Sequence, residues 1–201
     1  MAQINLNDES FDAKEGGKAF NGGVAGVVEN VKISLEKKKP EDKEKAPDYK
    51  VVFTDANGAK AEMPFWYVKE ATSYKTVDQL VQAQGKVLKH LIHAVLGKDT
   101  QFPPFNTPVE MLDGCLKLMK TKQNVADLFR VFANYGTPDY PKSFIQIRTW
   151  VAFVEHSSVA LADTRLVAGT NDNLVRLQPD NTGAGAPSAG SAPAADPNDG
   201  W

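Results

Sequence analysis

"SFIQIRTWVAFVE", residues 143–155, decides how this 201-residue chain is read. Its side chains alternate. Ile145, Ile147, Val151 and Phe153 fall on one face, with Thr149 the polar exception, and Phe144, Gln146, Arg148 and Trp150 fall on the other. A period of two over such a length predicts a half-buried strand. Just upstream, "LFRVFANYG" (128–136) has the same period, setting Phe129, Val131, Ala133 and Tyr135 against Arg130, Phe132 and Asn134, and the turn-rich "TPDYPK" joins the two runs.

Working back toward the N-terminus, the period changes. "TPVEMLDGCLKLMK" (107–120) opens with Thr107, Pro108 and Glu110 in capping-box order, predicting a helix that Gly114 weakens. Before it, "TVDQLVQAQGKVLKHLIHAVLG" (76–97) carries a broad apolar stripe from Val77 to Val95, with Thr76 placed to cap its start and Gly97 its end. Earlier still the pattern is strand-like. "VVENVKISLEKKK" (27–39) puts Val27, Val31, Ile33 and Leu35 on one side, spoiled near its start by Glu29. "YKVVFT" (49–54) and "AEMPFWYV" (61–68) flank Asn57-Gly58, a strong hairpin signal. The loop within residues 36–50 holds six lysines and five acids and reads as a solvated excursion.

Three strands, one or two helices and two strands do not alternate as an all-parallel α/β fold requires. The order predicts a mainly β fold with inserted helices: a five-stranded barrel of the oligonucleotide/oligosaccharide-binding (OB) kind, with helix between its third and fourth strands. An open α+β sandwich has the same element order. Residues 1–20 read as a flexible N-terminal arm, 21–179 as the folded domain with an irregular closing segment over 157–178, and 180–201 as a flexible acidic tail. That tail, rich in Gly, Ala, Ser and Pro, has too little apolar bulk to offset its ordering entropy.

Composition excludes several classes. No run approaches the ~20 apolar residues of a membrane span, and the start lacks a secretory pattern. One cysteine, Cys115, rules out an internal disulfide framework and suits a reducing cytoplasm. The net charge of −2 hides an acidic tail (Asp180, Asp196 and Asp199) on a body near neutrality, so nucleic-acid binding would need a local patch. The catalytic inventory is thin. His90 and His93 sit three apart but lack an evident third ligand, no phosphate-binding loop is present, and neither enzyme activity, a metal nor a cofactor is expected.

The non-core faces of the last two strands are richer. Arg130 and Phe132 on one, and Gln146, Arg148 and Trp150 on the other, interleave cations, an amide and aromatic rings. On an open sheet face such a set suits single-stranded nucleic acid, whose unpaired bases stack on rings while cations meet phosphates. Trp66 and Tyr49, then Lys32, Lys50, Lys142 and Tyr140, extend the candidate groove. Asp196, Asp199 and Trp201 form a candidate partner-binding tip, with Trp201 filling an apolar pocket on another protein.

On "GGVAGVVENVKISLEKKKPEDKEKAPDYKVVFTD", on "YPKSFIQIRTWVAFVE" and on the acidic tail ending in Trp201, the chain resembles bacteriophage-encoded single-stranded DNA-binding proteins. The resemblance implies an OB fold and sequence-tolerant binding of single strands. It also implies recruitment of replication or recombination proteins through the C-terminal tip, in the host cytoplasm. The tail departs from the bacterial pattern of clustered acids followed by Pro-Phe, and the zinc ligands of some phage relatives are absent. Two other readings stay open: a non-enzymatic viral structural or adaptor protein, and an RNA-binding OB module. A homo-oligomer is compatible with each.

Overall fold

A computed structural model describes residues 18–39 and 46–176. The first part of the chain forms β1 (Gly26–Lys37), β2 (Tyr49–Thr54), β3 (Lys60–Phe65), α1 (Val77–Leu96) and α2 (Pro108–Lys122). After them come β4 (Phe129–Thr137), β5 (Tyr140–Ile147) and β6 (Val154–His156). All pairings are antiparallel, in the order β3-β2-β1-β4-β5, with β6 also on β4. The sheet is therefore mainly consecutive hairpins, with both helices inserted between β3 and β4. It has six strands and is unclosed, where the sequence reading expects five strands and a barrel.

The hairpin around Asn57-Gly58 forms as its residues dictate. Gly58 takes a φ of +80° and Asp55 accepts from the amides of Asn57 and Ala59 at 2.8 and 2.9 Å. In β1 the conflict at Glu29 is resolved by a bulge. Three steps from Val28 to Val31 face two on β4, and Asn30 adopts a left-handed φ of 57°. That extra residue resets the pleat, so Val28 and Val31 are both buried and Val27, expected inside, is exposed.

α1 starts with a full capping box: the Gln79 amide donates to Thr76 Oγ1 at 3.3 Å and the Thr76 amide to Gln79 Oε1 at 3.0 Å. Its second half buries Leu88, Leu91, Ile92 and Val95 on the sheet. In α2, Thr107 caps the Glu110 amide at 3.1 Å, but Glu110 reaches back to the amide of Asn106 rather than of Thr107. Gly114 has a packing role there, since a Cβ would stand 2.5 Å from the Phe105 ring.

The strand expected over 143–155 forms in two pieces. Ile147 pairs with Ala133 and Val154 with Val131, so seven steps on one chain face two on β4. The ladder closes across the gap through Phe132, whose carbonyl accepts from Arg148 N at 3.3 Å and whose amide donates to Phe153 O at 2.9 Å. Residues 149–152 are thrown out as a loop carrying Trp150. A second excursion lies upstream, where five steps from Pro141 to Gln146 face two from Asn134 to Gly136. Gly136 has a φ of +85°, and a Cβ there would run into the Tyr140 carbonyl. The strand beside β4 thus bows away from it twice.

Candidate nucleic-acid interface

The expected open face on β4 is covered. Arg130, Phe132 and Asn134 are all buried, as is Arg148. Residues 157–176, read in sequence only as an irregular closing segment, supply the cover. Asp172 is its anchor: it meets Arg148 Nη1 at 2.5 Å and Asn134 Nδ2 at 2.8 Å, and accepts from the Gly169 amide at 2.8 Å. The Arg148 guanidinium lies 3.8 Å from the Phe132 ring centroid, which is the same cation–ring pairing expected of a base platform, folded inward. Its remaining donors reach Ala152 O at 2.8 and 2.5 Å and Val167 O at 2.8 Å.

Arg130 is similarly occupied. Its Nη2 meets Glu155 Oε1 at 2.9 Å and donates to the Val159 carbonyl, and Glu155 also accepts from Thr164 Oγ1 at 2.7 Å. A buried guanidinium requires a dedicated acid, and each arginine has one. Three residues expected to face bases or phosphates (Arg130, Phe132 and Arg148) are therefore part of the fold's interior. Tyr49 joins them. It is buried, with its hydroxyl donating to Asp113 Oδ1 at 2.6 Å, beside Tyr67, which donates to the same oxygen at 2.8 Å. Burial first, and Asp113 second, push the Tyr49 phenol up to about 12 and raise that of Tyr67 as well.

Other expected residues do lie outside. Tyr140 is 75% exposed, Trp66 50% and Trp150 39%, and Phe144, which the sequence reading did not place in the groove, is 61% exposed. Lys32 and Lys142 are exposed, Lys50 is ion-paired to Glu62 at 2.8 Å, and Gln146 is half-buried opposite Asn134. Three of these rings belong to one short stretch. Tyr140 stands at the β4–β5 turn, Phe144 on the upstream excursion two residues from Lys142, and Trp150 on the downstream loop. Bulges re-aim side chains away from a ladder, and here both present an aromatic ring to water. Phe144 is the ring that carries most weight here, and its sequence signal was its place opposite the apolar face. Arg176, exposed at the end of the cover, donates to Ser143 O at 2.9 Å and so sits beside Phe144.

Arg148 also shapes this surface from within. By gripping the Ala152 carbonyl four residues ahead, it closes the loop on which Trp150 stands. Asp196, Asp199 and Trp201 lie outside the described residues. Among the described residues no group of three or more His, Cys, Asp or Glu could hold a metal ion, and no helix is long and apolar enough to cross a membrane. Burial raises the Cys115 thiol to about 11, which disfavours its reactive thiolate. Comparisons with protein-family models, curated proteins and solved structures find no match.

Proposed function

We propose that this chain is a non-enzymatic protein that binds and protects single-stranded DNA without strong sequence preference, through the Tyr140–Trp150 stretch. The observation that carries the reading is the pair of excursions beside β4, each presenting a ring, Phe144 or Trp150, with Lys142 close by in sequence. Unpaired bases gain roughly 1–3 kcal/mol by stacking on such rings, whereas duplex DNA keeps its base faces occupied. Trp66, beyond the end of β3, would serve as an outlying platform.

The strand order gives a second support. A β3-β2-β1-β4-β5 sequence of neighbours, with helix between β3 and β4, is what an OB barrel becomes when its last seam is left open. In such folds the loop between the fourth and fifth strands contributes to oligonucleotide binding, and here Tyr140 stands in that place. On this reading the work is phage DNA replication, recombination or repair, and the acidic tip (Asp196, Asp199 and Trp201) recruits partner proteins. The sequence resemblance and the tail's composition support that part.

Anisotropy of a labelled oligo-dT, measured with the full chain at two salt concentrations, tests the reading. Binding should weaken with salt through counterion release. Phe144→Ala or Trp150→Ala should weaken it by roughly tenfold, the equivalent of about one stacked base. Equal affinity for duplex and single strand, or no binding at low salt, would overturn it. An RNA competitor of the same sequence distinguishes the RNA-binding alternative.

A further inference from the structure

A cleft of about 1010 Å³ lies between the second half of α1 and residues 152–165. Its helix wall presents Lys86, Lys89 and His93, with Lys98 just past the helix end, and its opposite wall presents Arg165. Lys86, Lys89, Lys98 and Arg165 make no ion pair among the described residues. Of these, Arg165 is felt inside the cleft: after burial, its charge is one of the causes that lower the His90 pKa.

The acids on the same walls leave the cations in excess. Glu155 is already held by Arg130 and Thr164, so Asp127 and Asp163 stand against Lys86, Lys89, Lys98 and Arg165, two acids against four cations. Positions 86, 89 and 93 follow one helix face, and from Lys86 to the end of α1 at Leu96 the helix rises about 15 Å, with Lys98 just beyond it. A row of point charges at that spacing tracks a polyanion rather than grasping a single phosphate.

The cleft also reaches the end of the loop that carries Trp150. Ala152, which ends the Trp150 loop and is clamped by Arg148, is one of its lining residues. The geometry points to a second segment of the DNA path: the sugar–phosphate backbone of a strand stacked on Phe144 and Trp150 continues past Ala152 into the α1 cleft. There Lys86, Lys89, Lys98 and Arg165 contact its phosphates. This rests on the single-strand reading above and extends it. The cleft's place at the end of the Trp150 loop favours nucleic acid over an acidic peptide as occupant.

The test is a triple variant, Lys86→Ala/Lys89→Ala/Arg165→Ala, whose three positions are exposed and outside the aromatic stretch. Full-length wild type and variant are titrated over a range of salt with oligo-dT of about four and about sixteen nucleotides, spanning the usual OB site sizes. For the long strand, the slope of log K against log salt should become shallower by about 2, at ~0.7 for each phosphate that is no longer neutralised. The short strand should bind both proteins equally. If wild type binds the long strand and the variant's slope is unchanged, the cleft assignment falls while the single-strand reading stands. The same holds if both lengths weaken alike, or if the substitutions abolish only binding of a poly-glutamate peptide. If wild type binds neither strand, both fall.

Discussion

Arg148 and Asp172 meet at 2.5 Å with neither side chain exposed, tying the strand beside β4 to the segment that closes over it. An ion pair so deep gives little net stability when intact, but removal of one partner strands the other charge. Asp172→Ala should therefore destabilise the fold by about 3–5 kcal/mol, read from urea unfolding. Replacing both partners with apolar residues of similar volume should recover most of that loss. A cost under about 1 kcal/mol for Asp172→Ala would mean that water already reaches the pair.

The rings divide into those that build the fold and those that face outward, and stability measurements separate them. Phe132→Ala should cost about 3–5 kcal/mol, as for a buried aromatic. Phe144→Ala should stay within about 0.5 kcal/mol of wild type while weakening oligo-dT binding. A large loss of stability from Phe144→Ala would place that ring in the interior instead.

His90 links pH to stability. Its Nε2 lies 3.2 Å from Val154 O and 3.3 Å from the Phe153 amide, and its ring is 4.8 Å from that of Phe153. Burial, above the other causes, lowers its pKa from the usual 6.5. The unfolded chain therefore takes up the proton first as pH falls, and stability contributed by neutral His90 is lost below 6.5 toward the depressed folded value. His90→Gln should flatten the fall of the melting temperature between about pH 7 and 5. An unchanged slope would show that His90 is not what titrates.

Alkaline conditions probe the other end of the sheet. The Tyr49 phenol, at about 12 in the folded chain against 10 when free, resists ionisation, so stability is lost as pH rises from 10 toward 12. Asp113→Ala removes the second cause of the shift and leaves burial, the first. Phenolate absorbance should then appear at lower pH, and unfolding should become easier by about 1–3 kcal/mol because two phenols lose their acceptor. Identical phenol titrations would refute the shared hydrogen bond.

Much of the fold is legible in local chemistry. Thr76, Thr107, Asn57-Gly58 and the period-two runs place both helices and the first four strands, because caps and pleats are short-range signals. What the sequence does not show is which face a distant segment covers. Residues 157–176 have no period, yet Asp172 and Glu155 were the acids that two inward-facing arginines require. The alternation of 143–155 also hides a break, because Trp150 and Val151 keep the pattern while the backbone leaves the ladder, with polar Thr149 its one mark in the sequence. Phe144 and Trp150 were legible as rings opposite the apolar side. Their exposure comes from excursions that no periodicity encodes.

The cover over β4 also sets where the polypeptide can be shortened. A version ending at His156 would retain every strand but lose Asp172, Val159 and Thr164, leaving Phe132 less covered, Arg148 without its acid and Arg130 held by Glu155 alone. Such a truncate should expose a sticky sheet surface and self-associate, so a change in oligo-dT binding measured on it would say nothing about the tail. Deletions that aim to isolate the tip should cut beyond Arg176, which still holds Ser143 O on the strand beside β4.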